Sequence, residues 1–323
     1  MSKLILVAVG GNALIRAGQK GTAQEQFENA ARTANAVVRL IRAGHKVVLT
    51  HGNGPQVGAM LTRSELAAAN AYRMPLDCSV AATQGEIGYV LQYAMWQAMQ
   101  TAGLHTPVVS LVTQVLVDPA DPAFEKPTKP IGPFYTRDVA ARYRDLFGWV
   151  FVEDPSRGYR RVVPSPEPKA IIELDAIRAC VDRGLVVIAG GGGGVPVFND
   201  HDISKGVEAV IDKDHTSAIL AGQLDVDLFC IATDVERVCL EYRKPTERPL
   251  DRLTASECRK YLAARQFAVG SMGPKMAAAA IYLERGGREA VITNHEHLFD
   301  AVHGTAGTHI LPDGDVPPRA GPK

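Results

Sequence analysis

The sequence predicts an α/β protein built on a largely parallel sheet with helices on both faces. Two observations carry this. Short, nearly continuous apolar runs alternate with longer helix-forming stretches, and three of those runs end in glycine-rich turns. A strand apolar on both faces must be covered on both sides, and parallel neighbours need a crossover that is usually a helix. The 323 residues suffice for one large domain or two smaller ones. With 46% apolar and 22% charged residues, the chain falls outside the disordered class and can bury a sizeable core.

The elements follow in order. "LILVAV" is a buried first strand ending at Gly10-Gly11. Thr22-Ala-Gln-Glu25 fits a capping box that opens a helix, and Gly44 stands where that helix should stop. "KVVLT" is the next strand and ends at His51-Gly52. Helices are expected over about 56–71 and 78–102, followed by a β-type run, "PVVSLVTQVLV". "LVVIAG", "VEAVI", "DLFCIAT" and "EAVITN" read as further strands, with helices between or after them. Residues 118–168, rich in Pro and Arg, break the alternation. An insertion of that length predicts a lid, a flap or a small subdomain. The rest of 1–312 reads as one domain, and the tail 313–323 as flexible.

Several function classes are disfavoured. Lys+Arg and Asp+Glu are both 35, so no basic surplus suggests a nucleic-acid partner. The apolar N-terminus is too short to span a membrane and lacks a cleavage pattern, which predicts a cytoplasmic protein. The five cysteines have neither metal-ligand nor redox spacing and read as thiols in a reducing compartment. The P-loop, the dinucleotide fingerprint and the protein-kinase motifs are missing. "NHEHL" lacks H-E-x-x-H spacing and reads as a helix start, so no metal ligand is nominated.

The glycine turns are Gly10-Gly11-Asn12, "HGNGPQVG" (51–58) and "GGGGG" (190–194). In open parallel sheets ligands sit beyond the carboxyl ends of the strands. Glycine allows close backbone approach, and converging N–H groups bind anions. Three such turns at equivalent places point to a phosphate-handling site. Cations must complete it. Lys213 lies in "GVEAVIDKDHTSAILA", read as a strand end, where Asp214, helped by Asp212, can hold its ammonium. Lys275 lies in "GSMGPKM", in the first turn of a helix with Pro274 at its first position. A cation there makes sense if an anion sits between it and the positive helix end. Lys129 lies in the inserted segment. His51 is assigned to shaping its turn.

The runs "VAVGGNAL", "HGNGPQVG", "TQGEIGY", "VDPADPAFEKPTKPIGPF", "GYRRVVPSPEP", "GGGGGVPV", "GVEAVIDKD" and "GSMGPK", in this order, resemble the carbamate kinases of the amino acid kinase family. The resemblance covers nearly the whole chain, up to "GTAGTHI". It implies a three-layer αβα open sandwich with a mainly parallel sheet of about eight strands, a protruding subdomain and a homodimer. It implies reversible transfer of a phosphoryl group between ATP and carbamate, with carbamoyl phosphate and ADP as products and Mg²⁺ held mainly by the nucleotide phosphates. By the same resemblance, Lys213 would touch the transferring group and Asp214 would orient the lysines. Lys275 would meet the nucleotide's phosphates, and Lys129 would reach in from the subdomain. Gly10, Gly11, Asn12, Gly52, Asn53 and Gly54 would cradle carbamate and the transferring group. Gly191, Gly192, Gly193 and Gly194 would line the nucleotide side, with Thr233, Asp234, Tyr242 and Met272 around the nucleoside. The alternatives are a family member or paralogue acting on another small acid, and a non-catalytic nucleotide sensor.

Overall fold

The computed structural model of the chain describes residues 2–10, 14–16, 18–200, 203–268 and 270–314. Gly11 and Asn12 lie outside them. The first half of the chain runs β1 (Leu4–Val9), α1 (Ala23–Arg42), β2 (Lys46–His51), α2 (Gly54–Ala67), α3 (Leu76–Ala102), β3 (Val108–Ser110), β4 (Gln114–Val117), β5 (Lys129–Tyr135), α4 (Arg137–Phe147), β6 (Val150–Asp154) and β7 (Gly158–Val163). There follow β8 (Pro168–Ile171), α5 (Leu174–Asp182), β9 (Val186–Ile188), β10 (Val195–Asp200), β11 (Ile203–Gly206), α6 (Lys213–Gln223) and β12 (Leu228–Thr233). The last part holds β13 (Val238–Leu240), β14 (Arg248–Leu250), β15 (Arg252–Thr254), α7 (Ala255–Ala263), α8 (Met272–Glu284), β16 (Ala290–Asn294), α9 (Leu298–Val302) and β17 (Thr308–Leu311).

Eight strands form the main sheet in the order β15-β17-β16-β12-β1-β2-β9-β3. Every pairing is parallel except β16 with β17. The two-residue period of a strand sends alternate side chains to opposite faces. Leu6 and Ala8 of β1 therefore join a core with residues of α5, α6, α7 and α8. Ile5, Val7 and Val9 join a second core with residues of α1, α3 and α9. This is the expected three-layer sandwich. Among the described residues no helix is long and apolar enough to cross a membrane.

Local signals are realised where they were read. Thr22 caps α1 in a capping box with Glu25, and Gly44, at φ +87°, closes its C-terminus. "PVVSLVTQVLV" divides instead into two strands of different sheets, because β4 belongs to a four-stranded sheet, β11-β10-β4-β8. The Gln84 side chain donates to Thr113 O at 3.1 Å and accepts from Thr113 N at 2.8 Å. It thus holds the residue at the crossing, whose carbonyl also accepts from Val195 N of β10 at 2.9 Å. "VEAVI" is not a strand. Val207 N and Val210 N donate to the carbonyls of Pro196 and Pro164, residues with no N–H to return, so no ladder propagates. Ala209 and Ile211 are nonetheless buried, which accounts for the apolar run.

The inserted segment folds into an antiparallel sheet, β5-β7-β6, with α4 beside it. Ile131 and Val163 pack with Val57, Leu61, Leu76 and Val80 in a small third core that seats the insertion on α2 and α3. At its outer end Tyr143 donates to Glu65 at 2.7 Å, and Arg73 pairs with the same carboxylate at 3.1 Å. At the other chain end Asp313 accepts from the Ser256 backbone and hydroxyl, while 315–323 lie outside the described residues.

Candidate active site

Two helix N-termini carry the charged centre. Asp212 is the N-cap of α6 and accepts from Asp214 N at 2.9 Å. Lys213 is therefore the first residue of a helix, not the end of a strand, since the run before it has no ladder. Its Nζ lies 2.6 Å from Asp214 Oδ1. Lys275, in the first turn of α8, donates to Asp214 Oδ2 at 3.4 Å. Pro274 is the third residue of α8 rather than the first. It is tolerated because first-turn N–H groups have no intrahelical acceptor. Lys129, which opens β5, donates to Asp212 Oδ2 at 3.1 Å. Asp214 is 4% exposed. Three ammonium groups thus meet two carboxylates where two positive helix ends converge, leaving a positive surplus that suits an anion.

Local pKa values follow from this charge pattern. Burial by itself would raise the Asp212 carboxyl, but Lys129, His215 and Lys213 outweigh it and hold it at about 2. His215, 3.2 Å from Glu167, is raised because that carboxylate overcomes burial. His51 is pushed down to about 4 by burial, with Lys213 adding to the effect. Its neutral ring donates from Nδ1 to Gly52 O at 3.1 Å.

The second glycine turn follows β2. Asn53, buried, precedes α2 and donates to Thr83 Oγ1 at 3.0 Å. Gly52 and Gly54 flank it, and Gly10 follows the neighbouring strand β1. The run 190–194 packs directly on this turn. A Cβ on Gly192, at φ +66°, would lie 2.0 Å from Asn53 Nδ2, and one on Gly193, at φ +93°, would lie 2.4 Å from Ile211 O. Thr216 of α6 donates to Gly193 O at 2.8 Å, and Thr50 and Ser217 share a 2.6 Å hydroxyl contact. Gly191 to Gly194 therefore wedge between the end of β2 and the start of α6. They group with Gly52 and Asn53, and do not line the cavity that holds the four nucleoside candidates.

That cavity, of about 710 Å³, lies beyond the end of β12. Thr233, Asp234, Tyr242 and Met272 all line it. Ser271, the N-cap of α8, lines it too, so it opens toward the turn carrying Lys275. Phe267 and Arg237 also contribute, and nothing in their sequence surroundings had marked them. They come from separate loops that only the fold brings together.

A family model described as the amino acid kinase family matches residues 3–294. The chain belongs to the amino acid kinase family. Within it, the chain is similar to a carbamate kinase of Pyrococcus furiosus, 44% identical over 97% of this chain and 100% of that protein. It is also similar to the carbamate kinase-like protein YqeA of Escherichia coli, 45% identical over 96% of this chain and 99% of that one. Among solved structures, carbamate kinase from Giardia lamblia bound to AMP-PNP superposes with a TM-score of 0.93, at 40% identity over 97% of this chain and 99% of that chain.

In this amino acid kinase, sequence reasoning singled out the lysines but not all their partners. It did not pair Lys129 with Asp212, nor His215 with Glu167, nor Arg161 of β7 with Glu208. Each pair joins residues at least 47 positions apart, so no local pattern announces it.

Proposed function

We propose that the protein is a carbamate kinase, catalysing ATP + carbamate ⇌ ADP + carbamoyl phosphate. The observation that carries this is the buried carboxylate of Asp214, shared by Lys213 and Lys275 between a nucleotide-sized cavity and the glycine turns. The names of the similar proteins, matched over nearly their full lengths, support the same substrate.

Phosphoryl transfer through a loose transition state needs alignment and charge stabilisation more than covalent help from the protein. Lys213 is assigned to the transferring group, Lys275 to the nucleotide phosphates and Asp214 to holding both lysines. Lys129 closes the site from the subdomain. Gly10, Gly11 and Asn12, with Gly52, Asn53 and Gly54, are assigned to the acceptor and transferring group, and Gly191 to Gly194 join them there. Thr233, Asp234, Tyr242 and Met272 are assigned to the nucleoside. Carbamate is already an oxyanion, so no general base is required, and His51 is tied to Gly52 as a neutral ring. Asp212 and Asp214 are both engaged by lysines, and among the described residues no group of three metal-binding side chains converges. Mg²⁺ is assigned to the nucleotide phosphates and water, where it would neutralise phosphate charge.

The same reading places the protein in the cytoplasm, as a homodimer that makes ATP from carbamoyl phosphate in arginine or related nitrogen-compound breakdown. The deciding assay measures ATP formation from ADP and carbamoyl phosphate, beside ATP consumption with acetylglutamate, aspartate or glutamate. Lys213→Ala is expected to lower kcat by about 10²-fold or more, the scale of a lost transition-state charge contact. Near-normal turnover would remove Lys213 from the reaction. The similarity to carbamate kinase-like proteins keeps a paralogue in view. No ATP from carbamoyl phosphate, with turnover of another acid, would establish it. Nucleotide binding without any turnover would indicate a sensor.

A further inference from the structure

We infer that Asp212 is a positioning residue, the docking partner through which α6 holds the subdomain lysine Lys129 in register with Lys213 and Lys275. This rests on the functional reading above. The two oxygens of Asp212 have separate duties. Oδ1 accepts from Asp214 N and caps α6, and Oδ2 accepts from Lys129 Nζ. One short side chain therefore ties the subdomain to the backbone of the residue that holds the other two lysines.

The need for such a tie follows from the packing. Ile131, two residues beyond Lys129, is buried in the small third core, so β5 itself is anchored. The Lys129 side chain is 36% exposed, against 12% for Lys213 and 14% for Lys275. Packing restrains the inner two lysines but not the outer one. A long flexible ammonium needs a fixed partner to keep one geometry, and it is repelled by the two cations already present. Asp212 supplies the opposing charge, and its own position is held by the helix cap. The Asp212 carboxyl is kept ionised by the surrounding cations well into the acid range. Arg161, which pairs with Glu208 on the same approach to α6, gives the subdomain a second ionic seat.

The cap and the ion pair can be separated. Asn and Ser cap helices about as well as Asp but carry no charge. Asp212→Asn and Asp212→Ser lose only the ion-pair stabilisation and should unfold above Asp212→Ala, which loses the cap as well. In ATP formation from carbamoyl phosphate, both capped variants should lose about 10-fold in kcat through misplacement of one group, with KM for ADP unchanged. In a Lys129→Ala background, Asp212→Asn should cost nothing further. Amide hydrogen exchange across 129–163 should rise equally in Asp212→Asn and Lys129→Ala, a readout that needs no substrate. An impaired Lys129→Ala beside a fully active Asp212→Asn would overturn the inference, as would equal losses from Asp212→Asn in both backgrounds. Unchanged exchange in both single variants would overturn it too. A wild-type enzyme inactive on carbamoyl phosphate would instead refute the functional reading, and the exchange data would still decide whether the tie exists.

Discussion

A carboxylate 4% exposed is costly unless it is paired, and Asp214 is paired twice. The surrounding cations outnumber the carboxylates, so the centre is balanced only when an anion arrives. His51 shows the opposite solution to burial, because it stays neutral. Its pKa drops from 6.5 to about 4 on folding. As pH falls through that window, the unfolded chain binds a proton that the native ring refuses, so stability declines by up to ~3 kcal/mol. His215 acts in the reverse sense. Its raised pKa contributes stability that is complete below 6.5 and is lost as pH rises through the folded value. Thermal unfolding followed from pH 6.5 down to pH 4 should therefore show a slope that flattens in His51→Gln. An identical slope in that variant would exclude the buried ring as its source.

Elements are set in place here by what glycine permits. The run 190–194 brings the end of β2 against the approach to α6 closer than any side chain would allow. At Gly193 both the left-handed φ and the Ile211 carbonyl oppose a Cβ, and a backbone atom cannot swing aside. Gly193→Ala should destabilise by at least about 2 kcal/mol and lower kcat, since the Lys213 helix starts two residues beyond Ile211. Gly222, near the end of that same helix, is a useful contrast, because nothing lies within 4 Å of a Cβ built there. Gly222→Ala should stabilise by about 0.5 kcal/mol. Denaturant unfolding of both variants checks the pair, and equal effects would mean that the turn is not wedged as described.

Across the whole molecule, one edge of the main sheet is conspicuous. β3 is its last strand, and α3 beside it exposes Tyr89 at 61%, Tyr93 at 41% and Trp96 at 58%. Open edges and large apolar patches mark association surfaces. The proposed homodimer has its most suitable face here. Tyr93→Glu combined with Trp96→Glu should halve the mass seen by sedimentation velocity while leaving the ellipticity unchanged. A variant of unchanged mass would move the interface elsewhere. At the opposite end of the scale from this bare edge, β1 sits between β12 and β2 with both faces covered, and the site lies beyond these central strands.

The sequence by itself determined whatever depends on neighbours a few residues away. "LILVAV" had to be buried on both faces, Thr22 and Glu25 had to open a helix, and the glycine run 190–194 had to turn the chain at a strand end. The long ordered motifs carried the family resemblance. Tertiary structure alone decided that "PVVSLVTQVLV" would divide between two sheets, with Gln84, 29 residues before Thr113, bound at the crossing. It also decided that the apolar "VEAVI" would lie against proline carbonyls without a ladder, and that Gly192 would meet Asn53. It chose Asp212 for Lys129 across 83 residues. Propensity, capping and periodicity act over a turn or two of chain. The choice of hydrogen-bond and charge partner depends on where distant segments come to rest, which only the packed whole settles.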